Sequence, residues 1–433
     1  MRQIDVAIVG AGPAGSAAAL AVARTGYSVA LLDKERFPRE KLCGDFLNPA
    51  SWPLLRVLGV DQGILSHEHE KVTAFRVTSI SGDEAEVLLS SKHGEAVFGL
   101  GLRRSLLDRV LLEKAGSEGV VVQQGTRLRL LQRETDGWFL EVEHGSSVEE
   151  LRARVLIGAD GRNSWVAHHL GLTGGAAIQG RAVGFQLRLK CANGPRGRVE
   201  IHLIPGGYAG LVGTGGDRLN LACAIEKNQL PAARSHFVEF ASSARPKISP
   251  YPPFEPAQGV LFQRGFKPIT EKSPPLQRGI RGDLTWLEAR LSQNPRLRKI
   301  LHDSEYVGEV RSTYPVYFRP RRACADGVLL VGDAARVSEP VTGEGVYRAM
   351  KSGLIAAGVV HEAFKTNDFS SARLSRYERQ CRQAFRLRQG MNSLVRWLIY
   401  RPGLVDPLIR FSARRKKLLD SIVHAVCQPE AGR

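Results

Sequence analysis

Apolar residues are arranged in two styles along this chain. Ile4 to Gly10 (IDVAIVG) and Tyr27 to Asp33 (YSVALLD) are short apolar runs rich in β-branched residues, closed by Gly10 and Asp33. Such runs suit strands buried on both faces of a parallel sheet. Between them Ala14 to Arg24 is dense in alanine, which lets a helix pack closely on a sheet, so the three segments predict a βαβ unit. Leu102 to Gly116 predicts a helix with its charges on one face, Gly119 to Gly125 a strand, and the runs WFLEVEHG and ARVLIGADG two more strands. GVLLVGDAA, from Gly327 to Ala335, returns to the buried-strand style, and Glu344 to Lys365 reads as a long helix.

The second style fills Gly184 to Ile225. Here FQLRLK, VEIHLIP, YAGLVGT and LNLACAI are short strands separated by turns, the pattern of an antiparallel sheet in a second layer or lobe. Pro246 to Asp283 is rich in Pro, Gly and basic residues without an apolar period, and reads as a solvated loop or insertion. Ser370 to Arg433 mixes 14 Lys and Arg and four acidic residues with Leu, Ile, Val, Phe and Trp, which predicts basic amphipathic helices.

Length and charge narrow the choice of function. At 433 residues the chain suits two lobes or a large split fold, and 43% hydrophobic with 24% charged residues is ordinary globular composition. The net charge of +18 favours an anionic cofactor, an anionic membrane surface or nucleic acid. Zinc-finger spacing and RNP-like aromatics are missing, so nucleic acid is not the expected partner. The six cysteines lie far apart with no CxxC pair, which argues for free thiols in a reducing, cytoplasmic setting and against a metal site. A strand begins almost at once, so we expect no targeting segment, and no run of apolar residues reads as a spanning helix.

GAGPAGS supplies Gly10, Gly12 and Gly15 in the spacing GxGxxG, directly after one strand and opening one helix. Alone the pattern is weak. Here Asp33 closes the next strand 18 residues after Gly15, where a carboxylate can take the ribose hydroxyls of an adenosine. Gly12 would let a pyrophosphate approach the backbone, and the helix N-terminus would hold its charge. GADGRNS (Gly158 to Ser164) and the run from Gly332 to Ala349 each place an aspartate straight after an apolar strand.

At these residues the chain resembles the FAD enzymes of the geranylgeranyl reductase and p-hydroxybenzoate hydroxylase superfamily. The marks are GAGPAG, then RSLLD (Arg104 to Asp108), then Asp160-Gly161, then Gly332-Asp333 followed by Pro340 and Gly343-Glu344-Gly345, in the family's order. The resemblance implies a mixed α/β fold: a Rossmann-like FAD-binding domain, an inserted antiparallel-sheet substrate domain and a helical C-terminal tail. The expected segments are 1–70, 101–170 and 311–366 for the FAD-binding domain, 71–100 and 171–310 for the substrate domain, and 367–433 for the basic helices. It further implies that Gly10, Gly12, Ala14 and Gly15 hold the FAD pyrophosphate, Asp33 with its neighbour Lys34 the adenosine end, and Arg104 the length of the dinucleotide. Asp333, beside Gly332 and Pro340, would take the ribityl hydroxyls, and Gly343 to Gly345 would aim backbone N–H groups at the flavin N1 and O2 edge. Asp160 would support the fold and the cofactor's path.

Family members similar to geranylgeranyl reductase carry a Cys-Gly pair in the loop after the first βαβ unit, which places Cys43 and Gly44 beside the flavin. Cys43 then reads as a buried thiol, a pocket-lining residue or a nucleophile, and Asp45 as a proton donor or as a cap for the segment FLNP. The family divides into reductases that saturate isoprenoid double bonds, monooxygenases and halogenases. The Cys43-Gly44-Asp45 loop leans toward a reductase of a hydrophobic, isoprenoid-type substrate, with an FAD monooxygenase acting on an aromatic or polyene substrate as the alternative. A non-enzymatic, membrane-associated flavoprotein is the remote one. The aromatic strand motif of the reductases is not matched by EIHLIPGGY, where only Pro205 agrees. No second GxGxxG appears, so NAD(P)H, if it is the electron donor, has no separate domain here. Peripheral contact with a membrane is expected through the basic C-terminal helices; the oligomeric state is not legible.

Overall fold

In this computed structural model, residues 2–89, 97–173, 182–231, 285–318, 320–337 and 340–414 are described. The insertion expected from Pro246 to Asp283 and the thiol of Cys427 lie outside them. Strand β1 (Arg2–Val9), helix α1 (Pro13–Ala23) and strand β2 (Val29–Asp33) form the βαβ unit at its expected place. Then come β3 (Ala74–Thr78), β4 (Glu84–Leu88), α2 (Arg104–Ser117), β5 (Val121–Gln124) and β6 (Ser147–Gly158). The antiparallel set is β7 (Ala182–Lys190), β8 (Arg198–Ile204), β9 (Gly207–Gly213) and β10 (Arg218–Glu226), followed by α3 (Pro295–His302). Strand β11 (Val328–Leu330) leads to α4 (Gly345–Thr366), α5 (Arg376–Ile399) and α6 (Pro402–Arg414).

Two sheets carry the architecture. In the first, β11, β6, β1, β2 and β5 run parallel in that spatial order, so three distant parts of the chain build one nucleotide-binding sheet. In the second, β7, β10, β9 and β8 are antiparallel neighbours, and β8 pairs in parallel with β3, which pairs with β4. The fold is thus the mixed α/β arrangement expected.

The alanines of α1 explain its fit. Ala17, Ala18 and Ala19 are fully buried, and α4 approaches so closely that a Cβ on Gly353 would stand 2.3 Å from the carbonyl oxygen of Ala14. Small side chains at this crossing let the two helices share one face of the parallel sheet.

The C-terminal helices are more than a basic tail. Ile399 of α5 and Ile409 of α6 are buried with Ile201, Leu203, Tyr208 and Ala224 of the antiparallel sheet. Asp83, just before β4, accepts from Arg410 of α6 at 3.0 Å. One face of the hairpin therefore covers the second sheet, and only the opposite face meets solvent.

Candidate functional site

The glycine-rich turn joins β1 to α1 in a conformation that only these residues allow. Gly10 has φ +105°, and a Cβ there would lie 2.4 Å from the carbonyl oxygen of Ala159; a Cβ on Gly15 would lie 1.8 Å from that of Gly10. Gly12 is different: it sits in ordinary extended backbone, and its nearest obstacle is the Arg39 guanidinium at 3.4 Å. No side chain caps the first turn of α1, which leaves its N–H groups available to an anion. Asp33 is fixed beside this turn, accepting from Ala11 N at 2.8 Å and from Glu35 N at 2.9 Å.

Three cations converge on the turn. Arg39 reaches over Gly12, 3.5 Å from Asp108, and its Nε is buried without a hydrogen-bond partner among the described residues. Arg104 is held by Asp108 through three bonds of 2.9 to 3.0 Å. Burial works against its charge, but Asp108 and Cys43 outweigh burial and keep Arg104 charged at any ordinary pH. Lys41 points at Gly161 and lies within electrostatic reach of Asp333; burial, with Arg104 and Arg39, pushes its pKa down. Three cations at an uncapped helix start, one with an Nε that makes no hydrogen bond among the described residues, fit the dianionic pyrophosphate of FAD, although Asp33, Asp108 and Asp333 lie beside them.

Gly332, at φ +58°, turns the chain at the end of β11 so that a Cβ there would stand 2.8 Å from that of Ala14. This contact brings Asp333 to the start of α1. Further on, Gly343 (φ +64°) packs against Phe46, and Gly345 opens α4 with nothing within 4 Å of an added Cβ. Glu344 between them is 1% exposed and accepts from Arg388 of α5 at 2.9 Å and Arg348 at 3.2 Å. The C-terminal hairpin is thereby tied to the loop that would meet the flavin edge.

The Cys43 loop lies on the antiparallel sheet. Gln186 and Asn220, both buried and bonded to each other at 2.7 Å, each donate to the Cys43 carbonyl at 3.0 Å. The Cys43 sulfur accepts from Asp45 N at 3.4 Å and from Arg104 Nη1 at 3.7 Å. Burial raises its pKa, with Arg104 opposing, so Cys43 stays a thiol near neutral pH. Asp45 is 1% exposed at φ +52°, takes the Arg104 backbone N–H at 3.2 Å at the start of α2, and pairs with Arg188. Burial raises the Asp45 pKa while Arg188 opposes it. The cap for FLNP is Asn48, accepting from Ala50 N at 2.9 Å, and not Asp45.

Strand register shows what faces this loop. Gln186 pairs with Ala222, Arg188 with Asn220, Gly210 with both Ala222 and Ile201, and Leu203 with Tyr208, so all these side chains share the covered face. Gly210 and Ala222 leave its centre low, and Ile201, Leu203 and Tyr208 pack beside them under Ile399 and Ile409 of the C-terminal helices. Glu200 and His202 point the other way. They form a buried knot behind the sheet, where Arg296 donates to Glu200 at 2.9 Å, His202 meets Glu200 at 3.2 Å and Thr78 at 2.8 Å. The strand that departs from the reductase motif therefore turns Ile201 and Leu203 toward the C-terminal helices.

Two of the expected residues lie at the surface: Lys34 is exposed and 3.7 Å from Glu35, and Pro340 is exposed in a short turn. Asp160 accepts from Ser164 at 2.6 Å and Val166 N at 3.1 Å, fastening the helix that follows β6. Arg39, Lys41, Gln186, Arg188, Asn220 and Arg388 were not foreseen individually. Gln186 and Arg188 left a signal, being polar residues two apart in an apolar strand.

Comparison with known proteins agrees with this geometry. Residues 3–187 match the family described as FAD binding domain. The chain is 28% identical over 408 residues (89% of this chain, 82% of the relative) to a 1H-pyrrole-2-carbonyl-[peptidyl-carrier protein] chlorinase of Pseudomonas fluorescens. It is 27% identical over 393 residues (88% and 83%) to digeranylgeranylglycerophospholipid reductase 1 of Methanothermobacter thermautotrophicus. A geranylgeranyl bacteriochlorophyll reductase-like structure from Thermoplasma acidophilum superposes with TM-score 0.71 at 20% identity, over 98% of this chain and 95% of that one. The chain is an FAD-dependent oxidoreductase, an enzyme resembling the superfamily of geranylgeranyl reductase and p-hydroxybenzoate hydroxylase.

Proposed function

We propose that this enzyme saturates a carbon–carbon double bond of a hydrophobic, isoprenoid-type substrate. The observation that carries the reading is the pinned Cys43-Gly44-Asp45 loop: a thiol kept neutral beside a glycine with nothing within 4 Å of an added Cβ. Bound and reduced, FAD supplies the hydride. The second hydrogen must arrive as a proton, and Cys43 is suited to give it. Two donors already engage its sulfur as acceptor, which leaves its S–H to be given, and Arg104 with the Asp45 N–H would stabilise the thiolate left behind. Solvent then returns the proton to sulfur. Asp45, paired with Arg188 and with the start of α2, acts as the anchor that fixes the loop. Reduced nicotinamide is the electron donor in this reading, received at the FAD site without a domain of its own.

A second reading is oxygen use on reduced FAD, as a monooxygenase or halogenase; the similarity to a chlorinase at 28% identity favours it. Product analysis separates the two. Enzyme and an unsaturated isoprenoid glycerolipid, incubated under nitrogen with a chemical reductant, should yield a lipid heavier by two hydrogens per bond. A lipid altered only when oxygen is present, gaining oxygen or halogen, would overturn the reductase reading.

A further inference from the structure

The C-terminal hairpin has a second face, and its chemistry is distinct. Of the nine exposed large apolar side chains among the described residues, five lie on α5 and α6: Leu387 (87% exposed), Leu394 (49%), Trp397 (48%), Leu404 (48%) and Leu408 (39%). On α5 the buried face is set by Phe385, Arg388, Asn392 and Ile399. At 100° per residue, Leu387, Leu394 and Trp397 fall on the opposite side, which Arg379 and Arg386 share.

That outward side is also strongly cationic. Helix α5 carries six arginines against one glutamate. Arg379, Arg382, Arg386 and Gln389 help line an open trough of about 750 Å³ whose lining includes no carboxylate. At the far end of the helix Arg401 lies over the Trp397 ring at 4.5 Å. An apolar stripe with arginines at its margins and an indole beside a guanidinium is the composition of a helix lying in a bilayer interface. Water alone would not favour five exposed large apolar groups on one hairpin.

We propose that the outward face of α5 and α6 docks on an anionic lipid surface, with Leu387, Leu394, Trp397, Leu404 and Leu408 entering the acyl boundary and Arg379, Arg382 and Arg386 meeting headgroup phosphates. The net charge of +18 gives the chain a field that draws it to such a surface. No helix among the described residues is long and apolar enough to cross a membrane, so the attachment is peripheral. The opposite face of the same hairpin covers the antiparallel sheet and binds Glu344 at the loop before α4, so a docked enzyme would hold that sheet one helix layer from the lipid. The docking claim stands on surface chemistry and is independent of the reaction catalysed.

Flotation of the holoenzyme with vesicles tests it. The parent should float with vesicles of phosphatidylcholine and phosphatidylglycerol and remain behind with phosphatidylcholine alone. The variants L387Q/L394Q/W397Q and R382Q/R386Q should each lose at least about tenfold in partitioning, with FAD content and melting temperature unchanged. Brominated lipid should quench the parent's tryptophan emission more than that of W397F. The proposal is overturned if anionic vesicles do not carry the parent, if both variants float as the parent does, or if the parent is a dimer that L387Q/L394Q/W397Q dissolves into monomers.

Discussion

Gly12 and Gly10 are two residues apart in one turn, yet the structure assigns them different duties, and replacing each by alanine separates them. At Gly12 the backbone has φ −72° and ψ −178°, which alanine adopts freely, and the new methyl would meet only the mobile end of Arg39 at 3.4 Å. The apoprotein should be unchanged or stabilised by about 0.5–1 kcal/mol, because alanine narrows the unfolded ensemble. The methyl would, however, stand between the pyrophosphate and the N–H groups of α1. Weakening one or two charge-assisted bonds there costs about 1.5–3 kcal/mol, so the Kd for FAD should rise about tenfold to a hundredfold. Gly10→Ala combines φ +105° with a contact of 2.4 Å to Ala159, and should destabilise the fold itself by about 3 kcal/mol or more. Thermal melts of the apoproteins and FAD titrations followed by flavin fluorescence measure both quantities. An unaltered FAD affinity for Gly12→Ala, or an apoprotein melt lowered as much as in Gly10→Ala, would refute the assignment of this turn to the cofactor.

Three further outcomes follow from named contacts. Burial works against the Glu200 carboxylate, yet His202 and Arg296 hold its pKa down to about 2 from an ordinary 4.5. A depressed carboxyl adds stability that is present above the unfolded value and lost as pH falls through the folded one, here about 3 kcal/mol. Glu200→Gln should be less stable near neutral pH by about that amount and should lose the steep part of the acid-unfolding curve below pH 4.5; an acid limb identical to the parent's would contradict it. If Cys43 gives the proton, turnover should hold through the ordinary thiol range near pH 9.0 and fall only above it, since burial raises this pKa. Cys43→Ala should slow product formation by about 100-fold or more while hydride loss from reduced flavin to an alternative acceptor is kept, and equal loss of both activities would point to a structural role. Arg388→Met leaves Glu344 with Arg348 as its one cation among the described residues and Thr342 as a neutral donor, so the flavin reduction potential should shift although Arg388 lies on another helix; an unmoved potential would show that the tie does not reach the cofactor.

The parallel sheet was legible because its strands are continuous apolar runs ended by glycine or aspartate, and a run such as IDVAIVG has few other uses. The antiparallel strands were legible as strands, but their faces were not. One residue of register decides whether Glu200 and His202 or Ile201 and Leu203 face the C-terminal helices, and only the pairing of β8 with β9 and β3 settles it. Arg388 was hidden for a different reason: it lies 44 residues from Glu344, and nothing local to a basic amphipathic helix says which of its six arginines turns inward. The basic tail was legible as amphipathic helices, but not which surface their apolar face covers: it lies on the antiparallel sheet, leaving an exposed face opposite.

The central claim is that electrons pass from this protein's flavin to a carbon–carbon double bond and not to oxygen. Holoenzyme reduced under nitrogen and mixed with a geranylgeranyl lipid in detergent decides it by absorbance at the oxidised flavin band. The account predicts that the band returns without oxygen, in step with saturation of one double bond per flavin. A band that stays bleached until air is admitted, with the lipid recovered unsaturated, would contradict it.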